Sequence, residues 1–344
     1  MSQERFSSLD GLRTIAMLGI VAMHVNANMT VHPSNILLLS EILNYAGDFV
    51  LLFMMISAFS LCCGYLERFR NGSISLEVFY TKRYKRILPF FALLTFIDVL
   101  FCCVGNHFSF DQTVFGELWE AFANLTLLFG LVPGNGISVI GVGWFLGVIF
   151  LFYLLFPFYS ILFSTKRKAW FAFVISMIWS VAIEKYFAPI KGSFSGNSCI
   201  LVVAPYFLSA GLVYIYRDAL KSLFPPPRLY FFKVVVLLYT VLFFVFPDNR
   251  FAYSNLLMYT LWLIYAVVEN SAKKSFLSNP IMVFMSSISM EIYLCHMMFF
   301  RFVEILHLEK FFTNENALYF TTLTLFLSIA IIFSVIWKKL KRRL

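Results

Sequence analysis

Charge is what this chain has least of. Only 13% of its 344 residues are Asp, Glu, Lys or Arg, whereas 60% are hydrophobic, and mean hydropathy reaches +0.82. A soluble globule of this length needs more polar surface than that, so water is excluded as the main solvent. Cysteine is sparse as well. Cys62, Cys63, Cys102, Cys103, Cys199 and Cys295 lie mostly inside apolar runs and lack the paired spacings of zinc sites or secreted disulfide frameworks. They read as small apolar residues, and no metal site is expected. A net charge of +9 does not point to nucleic acid, because the cations stand between apolar runs and not on a basic soluble face interleaved with aromatics. No internal repeat, low-complexity tract or added soluble domain interrupts the chain, so residues 1–344 are expected to form one domain.

What is present is a series of long hydrophobic runs. A helix needs roughly 20 apolar residues to cross about 30 Å of hydrocarbon. Runs of that order lie near 11–30, 42–64, 87–105, 143–163, 169–188, 199–216, 230–247, 251–269, 281–301 and 317–337. The first, following Arg5 and ending near Ala27, has the outline of a signal peptide, but nine further runs mark it as a retained helix. The stretch from Trp119 to Val132 is shorter and is stopped by Pro133-Gly134-Asn135-Gly136, so it is expected as an interfacial or re-entrant piece.

Loop charge supports this count, since Lys and Arg collect in short cytoplasmic loops. With a cytoplasmic N-terminus, 21 of the 27 basic residues fall inside, among them the Lys82 to Arg86 group, Lys166 to Lys168, Lys273, Lys274 and the tail from Lys338 to Arg343. Five fall outside, namely Lys185, Lys191, Arg250, Arg301 and Lys310, and the remaining one, Lys233, sits just inside a helix start. Counting the Trp119 stretch as a span would erase the asymmetry. The expected fold is therefore an all-α, polytopic transmembrane helix bundle of about ten spans with both termini cytoplasmic. The 106–142 segment is its longest outside loop and contains no Lys or Arg. Pro225-Pro226-Pro227 reads as a stiff turn between helices.

Ionisable groups within spans carry most weight, because a charge in hydrocarbon is costly and usually faces a cavity or a partner. Arg13 and His24 are eleven residues apart, which puts them on one helix face about 16 Å apart along the axis. A neutral imidazole there can take a proton from a hydroxyl that attacks an acyl carbonyl. The bland alternative is an interhelical histidine and an arginine snorkelling to lipid headgroups. Lys82, Arg83, Lys85 and Arg86 stand immediately before Ile87, where the third span is expected to begin. Arg83 and Arg86, spaced i, i+3, suit a phosphate group such as that of acyl-CoA; contact with anionic membrane lipids is the alternative. In SISMEIYLCH, Tyr293 and His296 share a face and Glu291 lies near midspan, able to orient a histidine, accept a proton or make a plain interhelical hydrogen bond. Asp98 and Asp48 raise the same question, with Asp48 also placed to cap its helix.

Several of these segments resemble the acyltransferase-3 family. LDGLRTIAMLGIVAMHV is similar to its opening helix, with the basic residue and the histidine at Arg13 and His24. Arg83-Tyr84-Lys85-Arg86 matches its R-x-x-R element, GDFVLLFMMISAFSL its second-helix motif, and GWFLGVIFLFYLLFP its W-x-L helix, with Trp144 and Tyr153 in place. SISMEIYLCH matches the S-x-x-IYLxH element through Tyr293 and His296. The chain departs from the family in two places. Val148, Ile149 and Phe150 stand where many members carry an acidic residue, and Glu291 is not the residue usual before IYLxH.

The resemblance implies an enzyme that moves an acyl group, usually acetyl, from cytoplasmic acyl-CoA to a hydroxyl of a carbohydrate, free or lipid-linked, in a bacterial inner membrane. It implies His24 and Arg13 as catalytic residues and Arg83, Arg86, Lys82 and Lys85 as the donor site; Glu291, where the chain departs from the family, is expected to supply a catalytic carboxylate from another helix. Trp144, Tyr153, Tyr293, His296 and Asp48 are then expected to contact substrate. Acetyl-CoA or another acyl-CoA enters as donor substrate, with no tightly bound cofactor; membrane lipids are the remaining partners, and oligomeric state is left open. The rival from another class is a transporter or flippase using the same intramembrane charges for substrate or protons.

Overall fold

The computed structural model describes residues 5–29, 33, 37–105, 107, 111–131, 140–186, 196–250, 252–269, 275–304 and 306–343. The expected Pro133-Gly134-Asn135-Gly136 stop and the loop cations Lys191, Lys273 and Lys274 lie outside the described residues. In chain order the helices are α1 (Ser8–Asn28), α2 (Leu37–Tyr45), α3 (Phe49–Leu61), α4 (Glu67–Arg70), α5 (Leu76–Gly105), α6 (Gln112–Leu125) and α7 (Trp144–Leu162). They continue with α8 (Lys166–Tyr186), α9 (Ile200–Leu223), α10 (Pro226–Val245), α11 (Ser254–Glu269), α12 (Pro280–Ser287), α13 (Ser289–Glu304) and α14 (Glu315–Lys341). No strand occurs among the described residues.

All ten expected runs are helical, but they are not equivalent. Eight of the helical runs are long and apolar enough to cross a membrane. The run near 281–301 is broken: α12 and α13 meet at Ile288 with a bend of 64°, and together they make a ninth candidate. The run near 251–269 is α11, an apolar helix of 16 residues. The third expected span starts earlier than its hydropathy suggests. α5 runs through the basic group from Leu76, because Phe79 is fully buried and anchors that polar first stretch. Lys82 to Arg86 thus sit inside the helix and not before it.

Packing divides the chain into two compact units, one of residues 1–59 and 213–344 and one of residues 60–212. In the first, α1 is the central element, in contact with α2, α11, α12, α13 and α14. Its small residues permit that. At Gly11 there is no room for a Cβ, since one would collide with the backbone carbonyl of Leu277. α10, by contrast, turns Tyr230, Phe231, Leu237, Leu238 and Val241 outward. An apolar exterior over a packed interior is what lipid as solvent requires.

In the second unit, α6 packs along α5, and the chain beyond it reaches far back along that helix. The Tyr84 hydroxyl donates to the Thr126 carbonyl at 3.2 Å, Phe129 stacks with Phe91, and Gly130 packs backbone to backbone on Gly147, leaving space for a Cβ at neither glycine. The piece expected as interfacial or re-entrant thus runs back beside α5 as far as the turn that carries the basic group. Phe115, Trp119 and Phe122 form its exposed apolar face.

Candidate functional site

One face of α1 is covered along its length by the broken span. Near its start, Arg13 lies 3.2 Å from the Asp10 carboxylate and donates to the Ser286 hydroxyl at 3.1 Å, while that hydroxyl donates to the same Asp10 oxygen at 2.7 Å. Ser286 is available because the helix ends there; Ile288 interrupts the ladder and α13 restarts at Ser289. Thr14 donates to the Met282 carbonyl at 2.9 Å and fixes the register of α1 against α12.

Farther along the same face, His24 meets His296. Nε2 of His296 lies 3.1 Å from Nδ1 of His24, and the ring centroids are 4.9 Å apart. The proton positions follow from the acceptors. Nδ1 of His296 is 2.6 Å from the Tyr293 carbonyl, and a carbonyl only accepts, so that nitrogen carries the proton and Nε2 of neutral His296 carries the lone pair. The shared proton must then sit on Nδ1 of His24, which also points at the Ile20 carbonyl at 3.0 Å. Nε2 of His24 is left with a bare lone pair. His296 is fully buried and Tyr293 nearly so, with Phe53 6.0 Å from the Tyr293 ring, whereas His24 is half-buried. The pair leaves Nε2 of the half-buried His24 as its basic nitrogen and hides the other ring in the core.

Glu291 does not lie at the middle of a continuous span. The break at Ile288 puts it in the first turn of α13, where the unsatisfied backbone amides of a helix start favour a carboxylate. That offsets the cost of a carboxylate at midspan depth. Asp48 lies within the second candidate span, Leu39–Arg70, and not at its start. It ends a 3-10 turn, Ala46–Asp48, that leads into α3, and its side chain hydrogen-bonds the Tyr45 hydroxyl.

In the second unit, the Arg83 guanidinium donates to the Tyr65 hydroxyl at 2.7 Å and lies 5.0, 5.8 and 5.8 Å from the ring centroids of Tyr65, Phe79 and Tyr153. Three rings within 6 Å of one guanidinium hold the cation by cation–π attraction. Its Nε is buried and hydrogen-bonds nothing among the described residues. Lys82, Lys85 and Arg86 are exposed on the same stretch of α5. Tyr153 belongs to the Arg83 cluster through α7, and Trp144, half-buried, is the first residue of that helix.

Three partners were not singled out in the sequence. Asp10 was legible in principle as an acid three residues before Arg13 on one helix. Ser286 had a weaker signal, a cluster of serines at 286, 287 and 289 inside an apolar run. Tyr65 had none, since the chain turns between it and Arg83. Chemically, the first unit holds a base with a fixed tautomer, and the second a guanidinium in an aromatic setting with an unused donor.

Searches of curated proteins and of solved structures each return no match. A family profile described as an acyltransferase domain matches residues 6–337, from ahead of α1 into the last turns of α14. The chain therefore belongs to the acyltransferase-3 family and is a multi-pass membrane acyltransferase.

Proposed function

We propose that this protein transfers an acyl group, acetyl in the first instance, from cytoplasmic acyl-CoA to a carbohydrate hydroxyl on a cell-surface polysaccharide or its lipid-linked precursor, in a bacterial inner membrane. Family membership supports acyl transfer in general. The hydrogen bond between His296 Nε2 and His24 Nδ1 carries the residue assignment, because it leaves Nε2 of His24 free to accept a proton. In the direct route that nitrogen takes the acceptor's hydroxyl proton as the oxygen attacks the thioester carbonyl carbon. The carbon–sulfur bond breaks, and the imidazolium returns its proton to the CoA thiolate. In the two-step route Nε2 attacks the thioester carbonyl carbon and the carbon–sulfur bond breaks, giving an acyl-histidine and the CoA thiolate; the acceptor oxygen then attacks the acyl carbon, the carbon–nitrogen bond breaks, and the hydroxyl proton ends on the thiolate. Arg83, with Lys82, Lys85 and Arg86, serves the phosphates of CoA, which is a substrate and not a resident cofactor. Arg13, held by Asp10 and Ser286, serves the donor, and Trp144, Tyr153, Tyr293, His296 and Asp48 line the path of the substrates.

One observation favours a transporter, namely the 64° break between α12 and α13, since discontinuous helices often frame substrate sites in transporters. Detergent-purified protein separates the two readings. Acyl transfer predicts acetyl-CoA binding and slow thiol release by the wild type, binding without release by His24→Ala, and loss of affinity in Arg83→Ala. If the wild type neither binds nor turns over acetyl-CoA or longer acyl-CoAs, the donor assignment falls and transport takes its place.

A further inference from the structure

The turn from α9 into α10 and the end of α11 line an open-sided cavity of about 350 Å³, within the range of small-ligand sites. Lys221, Phe224, Leu229, Lys233, Tyr265 and Glu269 line it, and the acyl-transfer reading uses none of them.

Glu269 is the unusual member. It is the last residue of α11, buried at 8% exposure, and a helix C-terminus is the end that opposes a carboxylate. The Tyr265 and Ser275 hydroxyls each donate to it at 2.5 Å, yet among the described residues it forms no ion pair. A buried carboxylate in that position calls for a cation. Lys233 is the second oddity. It lies exposed two turns into α10, between Tyr230, Phe231, Val234 and Leu237, all of which turn outward. An ammonium on such a face is stable only where it reaches headgroups or an anion. Lys221 approaches from α9, its ammonium 4.7 Å from the Phe6 ring centroid. Phe224, Leu229 and Val268 supply apolar wall between the charges.

We propose that this cavity binds an aminophospholipid of the phosphatidylethanolamine class. The phosphodiester sits between Lys221 and Lys233, the primary ammonium supplies the ion pair that Glu269 does not form among the described residues, and the glycerol end runs along Phe224 and Leu229 to the outward face of α10. Each half of the ligand answers a separate feature. A lipid without the amine leaves Glu269 uncompensated, and a soluble headgroup leaves the apolar wall unused.

The test is native mass spectrometry of delipidated full-length protein titrated with phosphatidylethanolamine, phosphatidylglycerol and soluble O-phosphoethanolamine. Wild type should bind phosphatidylethanolamine roughly five-fold or more tightly than phosphatidylglycerol, about what one partly exposed ion pair provides. Glu269→Gln should erase that preference, Lys233→Met should weaken both lipids, and the soluble headgroup should not bind at lipid concentrations. Lys233 is exposed, so its variant folds even if Glu269→Gln does not. Equal binding of the two lipids by the wild type, a preference surviving in Glu269→Gln, or unchanged binding by Lys233→Met would overturn the proposal. Soluble phosphoethanolamine binding as tightly as the lipid would overturn the lipid source.

Discussion

Nε2 of His296 accepts a hydrogen bond from Nδ1 of His24 at 3.1 Å, although 272 residues separate them in the chain. His296 is thereby a positioning residue: it fixes which nitrogen of His24 is bare and shares the charge when that nitrogen is protonated. Removing such an outer partner typically costs 10- to 100-fold. His296→Phe is expected to lower the rate of thiol release about that much with the KM for acyl-CoA unchanged, and His296→Gln, whose amide oxygen can still accept, to restore part of the loss. Full activity in His296→Phe would show that the pair is packing alone.

Arg83 leads to a different prediction, because its guanidinium lies among three rings and its buried Nε hydrogen-bonds nothing among the described residues. Lysine keeps the charge but has neither the planar fork nor the same fit against aromatic faces. Arg83→Lys should therefore lose acyl-CoA affinity nearly as badly as Arg83→Ala, by about ten-fold or more, the equivalent of one charge-assisted hydrogen bond. Equilibrium binding of acyl-CoA decides it; near wild-type affinity in the lysine variant would reduce Arg83 to a point charge.

The sequence made the helices legible, together with the register that puts Arg13 and His24 on one face, because hydropathy and helical period are local properties. It did not show where helices stop short of their apolar runs. The break at Ile288 lies within residues as apolar as any span, yet it creates the Ser286 contact to Arg13 and moves Glu291 into a helix start. The opposite error occurs at α5, where polar residues before Ile87 extend the helix because Phe79 buries itself in the core. Both are decided by tertiary packing. The motif residues His24 and His296 were each legible, but their pairing was not, since nothing local couples positions so far apart.

Gly11 tests the packing that holds α1 in place. Leu277 presses backbone against it, and a backbone carbonyl cannot swing aside as a side chain can. Gly11→Ala should destabilise the protein by about 1–3 kcal/mol, as overpacking of a tight core does. The gain in helix propensity from Gly to Ala, about 1 kcal/mol, offsets only part of that. A lowered thermal midpoint in detergent is expected, and an unchanged or raised one would mean that α1 and the Phe276–Ser278 turn separate readily.

Orientation is the remaining prediction, and charge decides it. With the N-terminus in the cytoplasm the basic residues divide 21 to five in favour of the inside, a bias that short loops obey. The α6 helix then starts outside, with Trp119 70% exposed on its apolar face, and the basic last turn of α14 lies inside. Single cysteines placed at His107 and at Arg343 report on this directly, in a background where the half-buried Cys63, Cys102 and Cys103 are replaced by serine. A membrane-impermeant thiol reagent added to intact cells should label the cysteine at 107 and spare the one at 343 until the membrane is opened. The reverse pattern would invert the topology and place the Arg83 group on the outer face, where cytoplasmic acyl-CoA does not reach it.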